Sequence, residues 1–230
     1  MNIKENALAV FRHEEPDMVP WLPDQGVLLT GSLERKLRNM GMGLHAGARV
    51  YDMVQPHVRV EERKEGNIIN RTYKTPVGDV STLQTLDFAS NQEFYRIPWT
   101  KEYMIKSVED FEVVKFMIED TKYSPDYKPF LNAERWMGND GIVTTGCERS
   151  PFQKILIEFT GYKNGVILLH RFPKEFEELR GMIEKKQEEF YKILADSPAD
   201  IVILPSNIDG VMISPKLFEK YYVPFYNRQA

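Results

Sequence analysis

The feature that most constrains this chain's fold is the alternation of short apolar runs with helical segments from residue 107 onward. Residues 142–145 and 201–204 have the length and composition of buried parallel strands. Helix starts are indicated where a serine precedes a proline, since serine caps helices and proline suits their first position. Such pairs stand at Ser124-Pro125, Ser150-Pro151 and Ser214-Pro215. Strands that alternate with helices are typical of α/β architecture.

The first part of the chain adds two further patterns. Residues 3–12 have the spacing of a helix, and the apolar run 18–22, bracketed by prolines, favours a first buried strand. Residues 56–86 instead alternate apolar and polar side chains with period two, with turn residues at Glu65-Gly66 and Pro76-Val77-Gly78-Asp79. This stretch predicts an antiparallel hairpin or meander inserted between βα segments.

Composition limits the classes of function. With 230 residues and 42% hydrophobic composition, the chain can bury one sizeable core, which favours a single domain over residues 1–230. A net charge of −4 offers no basic face for nucleic acid or for an anionic membrane. We expect a cytoplasmic protein, because neither a signal peptide nor a membrane-spanning apolar stretch is evident. Cys147 is the only cysteine, which excludes an intramolecular disulfide and favours a small buried residue.

Four phrases, in order and over nearly the whole chain, resemble the uroporphyrinogen decarboxylase superfamily, which includes methyltransferases that exchange methyl groups with corrinoid proteins. The first is His13-Glu14-Glu15-Pro16-Asp17 followed by Val19-Pro20-Trp21, and the second is Ser150-Pro151-Phe152 with Gly161 beyond it. The third is Ala199-Asp200-Ile201-Val202, and the fourth runs from Ile213-Ser214-Pro215-Lys216-Leu217-Phe218 to Tyr222-Val223-Pro224-Phe225-Tyr226.

The resemblance implies a (β/α)8 TIM-type barrel, whose active site lies at the carboxyl ends of the strands. About five strand-like βα segments can be counted where a closed barrel needs eight. The sequence therefore predicts an incomplete, C-terminally truncated barrel that forms a homo-oligomer or is completed by another chain.

The residues depart from the decarboxylases of this superfamily. Where the resemblance implies an Arg-Gln-Ala-Gly-Arg motif after the first strand, this chain has Asp24-Gln25-Gly26-Val27-Leu28. Ile157 replaces a tyrosine of the central unit, and the later strand end reads Pro205-Ser206-Asn207-Ile208-Asp209-Gly210, which keeps only the glycine of the decarboxylase phrase. A porphyrinogen with eight carboxylates requires arginine forks. Decarboxylation is therefore disfavoured.

Polar side chains follow the predicted strands. Asn207, Asp209 and Glu148 are the candidate catalytic residues, and the candidate substrate-binding residues are Asp24, Gln25, Cys147 and His45. Carboxylates and amides suit a neutral or cationic small molecule better than a polyanion. Four of these residues have a plain structural alternative: Asn207 and Asp209 can build a turn, Asp24 can be a solvated loop residue, and Glu148 can pair with Arg149.

The leading hypothesis is methyl transfer between a corrinoid (cobalamin) protein partner and a thiol or folate acceptor. Zinc could take part only with ligands outside this chain, because no histidine pair here has metal-ligand spacing. Two alternatives stay open. One is uroporphyrinogen decarboxylation in porphyrin biosynthesis, with arginines supplied by Arg35 or Arg49, and the other is a non-catalytic truncated subunit.

Overall fold

The computed structural model describes residues 1–24, 26, 30–86 and 98–229, and Gln25 lies outside them. Its helices are α1 (Ile3–Phe11), α2 (Ser32–Asn39), α3 (Asp110–Asp120), α4 (Lys128–Met137), α5 (Pro151–Lys154), α6 (Tyr162–Arg171), α7 (Pro173–Ala195), α8 (Pro215–Leu217) and α9 (Val223–Gln229). π-Helical turns at Ile155–Phe159 and Phe218–Tyr222 follow α5 and α8. The strands are β1 (Leu44–Gly47), β2 (Tyr51–Val54), β3 (Arg59–Glu65), β4 (Ile68–Thr75), β5 (Gly78–Thr85), β6 (Trp99–Glu102), β7 (Lys122–Pro125), β8 (Gly141–Gly146) and β9 (Val202–Ile203).

The chain divides into two compact units, each built from three separate segments. The parallel-sheet unit comprises Met1–Asp52, Ser124–Cys147 and Ile193–Ile203. The meander unit comprises Met53–Tyr123, Glu148–Lys192 and Leu204–Ala230.

Parallel strands follow one another in chain order in the parallel-sheet unit. β8 lies between β1 and β9, with Leu44 opposite Gly141 and Thr145 opposite Val202. The segment before β1 extends the series, because the N–H groups of Gly43 and His45 donate to the carbonyls of Trp21 and Pro23 at 2.9 and 3.0 Å. The segment before β1 and strands β1, β8 and β9 are thus neighbours in chain order.

The meander unit contains the predicted antiparallel insertion. Strands β3, β4, β5 and β6 form a sheet in that order, and the registers of the first three strands confirm the meander expected over residues 56–86. Val80 of β5 is buried and packs against Val113 and Met117 of α3. Burial of this one face explains the period-two pattern of the sequence.

Helices enclose the main core of the meander unit. Phe111 of α3 and Phe152 of α5 are fully buried, as are Phe176 and Leu179 of α7. The apolar stripe of α7 faces this core, and its Glu/Lys runs form the solvated face. Phe152 also stacks on Tyr221, with ring centroids 4.0 Å apart.

Two local expectations need correction. Ser124 and Pro125 end β7 and do not start a helix; α4 begins at Lys128 instead, and Pro129 supplies its early proline. The run 18–22 is not a buried strand, because Val19 is 88% exposed and only the segment from Trp21 pairs with β1. Pro20 and Pro23 lack N–H groups, which restricts this segment to the edge of a sheet.

The mixed α/β class is confirmed, whereas the described strands form three small sheets and no barrel closes among them. Within the described residues, no helix combines the length and the apolar character that crossing a membrane requires.

Candidate functional site

A carboxylate, an imidazole and a hydroxyl line up at the parallel-sheet unit. Asp24 ends the first parallel segment, His45 lies on β1 and Thr144 lies on β8. The Nε2 atom of His45 shares a hydrogen bond of 2.8 Å with Oγ1 of Thr144, and its Nδ1 lies 3.5 Å from Oδ2 of Asp24. Asp24 is half exposed and Thr144 is buried, so the row runs from the solvent into the sheet.

Backbone pairing holds this row. The parallel register sets Gly47 opposite Thr144, and Asp24 makes a parallel bridge to His45. The other oxygen of Asp24, Oδ1, accepts the N–H of Gly26 at 2.7 Å, which fixes the carboxylate and directs Oδ2 toward the imidazole. A half-exposed carboxylate beside an imidazole can accept a proton from a bound substrate.

Cys147 follows β8 but does not face open solvent. Its side chain is buried, its N–H donates to the carbonyl of Ile203 at 3.0 Å, and its Sγ lies 3.5 Å from the same oxygen. This placement fits the small buried residue that a lone cysteine favours.

A charged cluster follows β8 in the meander unit. Nζ of Lys154 lies 3.0 Å from Oε2 of Glu148 and 3.0 Å from Oε2 of Glu158. Burial alone would lower the pKa of Lys154, but the two carboxylates outweigh it and raise that pKa above its usual value. Glu148 also accepts the hydroxyl of Tyr123 at 2.8 Å. Both carboxylate oxygens of Glu148 are therefore engaged within the protein.

The loop after β9 is fastened to α5 by one amide. Nε2 of Gln153 donates to the carbonyl of Asn207 at 2.8 Å, and Oε1 of Gln153 accepts the N–H of Asn207 at 2.9 Å. The exposed side chain of Asn207 receives a bond of 3.3 Å from Arg149. Asn207 is thus held by its backbone while its side-chain amide stays accessible.

Asp209 builds a turn. Its Oδ1 accepts the N–H groups of Val211 and Met212 at 2.8 and 2.9 Å, and the side chain is exposed. This geometry is the turn that the sequence offered as the alternative to a catalytic role.

Three buried hydroxyls lack hydrogen-bond partners among the described residues, those of Thr145, Ser150 and Tyr222, and sequence reasoning missed all three. Oγ of Ser150 and the hydroxyl of Tyr222 make no hydrogen bond among the described residues, although their side chains are 2% and 0% exposed. Burial raises the pKa of Tyr222 well above its usual value, and the Gln153 and Ser150 side chains nearby oppose the rise only in part. The Ser150-Pro151 pair predicts a helix cap, so the sequence does not indicate that the Ser150 hydroxyl is buried instead.

The described residues bring no three His, Cys, Asp or Glu side chains together as a metal site, so no zinc ligand set can be assigned to them. His57 is hydrogen-bonded to Asp120 at 2.7 Å, which supports a structural role. Comparison with protein-family models, with curated proteins and with solved structures gave no match.

Proposed function

We propose that this chain is a (β/α)-barrel enzyme of the uroporphyrinogen decarboxylase superfamily that moves a methyl group between a corrinoid protein and a thiol or folate acceptor. The barrel proposal is supported by the four parallel segments that neighbour one another in chain order. Adding each βα unit beside the last is the arrangement of a TIM barrel, whereas doubly wound sheets reverse their order at a switch point.

The choice of reaction rests on ion pairs. Each cation that closely follows a described strand end of the parallel series lies near an aspartate or a glutamate. Arg49, after β1, lies 3.1 Å from Asp52 and 3.7 Å from Asp126. Lys154, after β8, is held by two glutamates, and Arg149 lies 3.6 Å from Glu158. Among the described residues at these strand ends, cations that are already paired leave no free arginine fork for a ligand with many carboxylates.

Arg35, the other arginine considered for a decarboxylase, lies at the wrong edge of the sheet. It lines a cleft with Met42 and Asp140, which precede β1 and β8 at the amino ends of these strands. Ligands of parallel α/β folds bind at the carboxyl ends. This geometry favours methyl transfer over decarboxylation.

The contacts sort the candidate residues by role. In the parallel-sheet unit, the half-exposed carboxylate of Asp24 stays available to a substrate, and we assign substrate contact to it. The two ring nitrogens of His45 face Thr144 and Asp24, so His45 positions that carboxylate. Glu148 and Asp209 are engaged within the protein, so they are positioning residues. In the proposed reaction, the acceptor sulfur bonds to the methyl carbon while the carbon–cobalt bond of the donor breaks. The bonding electron pair stays on cobalt, and the thiol proton passes to the carboxylate of Asp24 beside His45.

The test is to incubate the purified chain with methylcobalamin and a panel of thiols and tetrahydrofolate while the corrinoid absorbance is followed. We expect acceptor-dependent loss of methylcobalamin, slowed about 100-fold by Asp24→Asn, the scale of a lost general base. Asp79→Asn, which makes the same change at an exposed aspartate of β5, is the matched control and should retain the rate. If the corrinoid spectrum stayed unchanged across the panel and carbon dioxide were released from uroporphyrinogen, the proposed methyl transfer would be wrong and decarboxylation would be the reaction.

A non-catalytic subunit is the second candidate. It is favoured by one observation: Glu148 and Asp209, which the sequence marks as catalytic, are occupied by structural contacts. Light scattering on the co-expressed chain and its copurifying partner distinguishes a subunit from an enzyme. A subunit would form a stoichiometric complex and show neither methyl transfer nor decarboxylation.

A further inference from the structure

The meander unit has a cleft that none of the residues considered so far as site residues line. Its volume is about 550 Å³, within the range of small-ligand sites. Three of its residues are aromatic, namely Trp99, Tyr103 and Tyr162, and Ile105 and Ile167 add aliphatic surface.

One glycine shapes the wall of this cleft. Gly161, directly before α6, has φ +70°, a conformation that L side chains rarely adopt. A Cβ there would lie 2.5 Å from Cε2 of Tyr103, so only glycine lets the Tyr103 ring lie over the start of α6.

Hydrogen bonds fix the floor. The N–H of Ile105 donates to Phe159 at 2.8 Å, and the side chain of Asn164 donates to the carbonyl of Ile105 at 3.0 Å. The cleft is therefore preformed.

The charge of the cleft is positive. Lys101, Lys106 and Lys163 line it together with a single acid, Glu102. Glu102 lies 3.2 Å from Lys106, which also donates to Ser81 at 3.0 Å. Lys101 and Lys163 have no hydrogen bond or ion pair among the described residues. Two unpaired ammonium groups thus border an aromatic wall.

We infer that this cleft binds a small organic anion, whose flat apolar body lies against Trp99 and Tyr103 while its carboxylate or phosphate pairs with Lys101 and Lys163. The aromatic wall supplies contact area, and the lysines select for negative charge. A neutral molecule of the same shape keeps the contact with the aromatic wall but loses the attraction to the two lysines.

The chain offers a direct readout, because Trp21, Trp99 and Trp136 are its only tryptophans. Incorporated 5-fluorotryptophan would give three ¹⁹F signals, and the signal absent from Trp99→Phe identifies Trp99. Titration with 2-naphthoate should shift the Trp99 signal saturably and leave the other two in place. The neutral 2-naphthamide should bind about tenfold more weakly, as expected for two partly solvated charge contacts. 2-Naphthyl phosphate, as a third probe, distinguishes a phosphate from a carboxylate preference.

The double variant Lys101→Gln/Lys163→Gln should remove the preference for naphthoate over naphthamide. Lys64→Gln, which changes an exposed lysine of β3 in the same sheet, is the control and should keep it. A Trp99 signal that stays in place up to the solubility limit would overturn the inference. Equal naphthoate affinity in the double variant and Lys64→Gln would do so too. Since no corrinoid is present, the result is independent of methyl transfer.

Discussion

At the residue scale, the buried amide of Gln153 holds the loop after β9 in place. It is 1% exposed and binds both backbone groups of Asn207, so a single side chain sets the position of the loop after β9. Gln187 is equally buried, but it uses only its Nε2, which donates to the carbonyl of Arg149 at 2.8 Å, while its Oε1 has no partner. The two glutamines are thus equally buried, but Gln153 uses both atoms of its amide in hydrogen bonds and Gln187 uses only the nitrogen.

Gln153→Leu should lower the free energy of unfolding by about 2 kcal/mol, because it leaves two backbone groups of Asn207 without their partners. Gln187→Leu should cost about 1 kcal/mol less, since its oxygen is already unpaired in the native state. Urea unfolding followed by circular dichroism measures both. An equal loss in the two variants would show that the Asn207 contacts add nothing to stability.

Asp120 gives a pH-dependent prediction. Burial raises its pKa, but hydrogen bonds from the ring and the N–H of His57 outweigh burial and hold the pKa below its ordinary value of 3.8. A lowered folded-state pKa stabilises the protein above the unfolded-state pKa, and that stability is lost as the pH falls through the folded-state pKa. The advantage of wild type over Asp120→Asn should therefore be full at pH 6 and shrink below about pH 4.

Asp79→Asn is the control for this measurement, because Asp79 is exposed and has no ion pair among the described residues. Its difference from wild type should stay constant over the same pH range in urea titrations. If the Asp120→Asn difference is equally constant, His57 does not stabilise the charged form of Asp120.

The sequence predicts these residues unevenly. The turn at Asp209 follows from local chemistry, since an Asx residue binds N–H groups two and three positions ahead. Ser150, Gln153 and Tyr222 could not be found in this way, because the burial of all three, and the bonds of Gln153 to Asn207, depend on segments tens of residues away along the chain. Only packing decides that the Ser150 hydroxyl is buried and does not cap its own helix.

At the element scale, two Ser-Pro helix starts differ although their sequences look alike. Both are followed by a π-helical turn after one turn of α-helix. Oγ of Ser214 accepts the N–H of Leu217 at 3.4 Å, whereas Oγ of Ser150 has no hydrogen-bond partner in the described part of the chain. Proline fixes the start of each helix, so the serine hydroxyl is free to take different roles.

Ser214→Ala should therefore lower the free energy of unfolding by about 0.5–1 kcal/mol, the low range for a helix cap. Ser150→Ala should cost nothing or stabilise the protein slightly, because it removes a buried hydroxyl without a partner. Thermal or urea unfolding of the two variants is sufficient. A larger loss for Ser150→Ala would reveal a bound water or another partner at that hydroxyl.

Elements with strong local patterns were predicted well, and those set by tertiary pairing were not. The period-two stretch 56–86 forms the expected meander because one face is buried against α3. Ser124-Pro125 misled the prediction, because the same dipeptide also suits the end of an edge strand, where a missing N–H costs no hydrogen bond.

At the scale of the whole molecule, the order of the parallel segments carries the barrel proposal, and the division into two units determines how the chain should open. Local periodicity predicts strands and helices but not which strands are neighbours, since pairing depends on residues far apart in sequence. The N–H groups of Thr145 and Cys147, for example, bond to the carbonyls of Ile201 and Ile203 across more than 50 residues. Such contacts open together or not at all, so each compact unit should behave as one cooperative group.

Native-state hydrogen exchange in low denaturant tests this cooperativity. The amides of Gly43, His45, Thr145 and Cys147 should share one opening free energy, and the amides within β4 and β5 should share another. Val80→Ala, which leaves a cavity against α3, should lower the second value by about 2 kcal/mol and leave the first unchanged. If Val80→Ala lowered both groups equally, the chain would open as a single unit. If Gly43 and His45 exchanged as fast as loop amides, the segment before β1 would not pair in solution, and the chain-order series behind the barrel proposal would lose its first member.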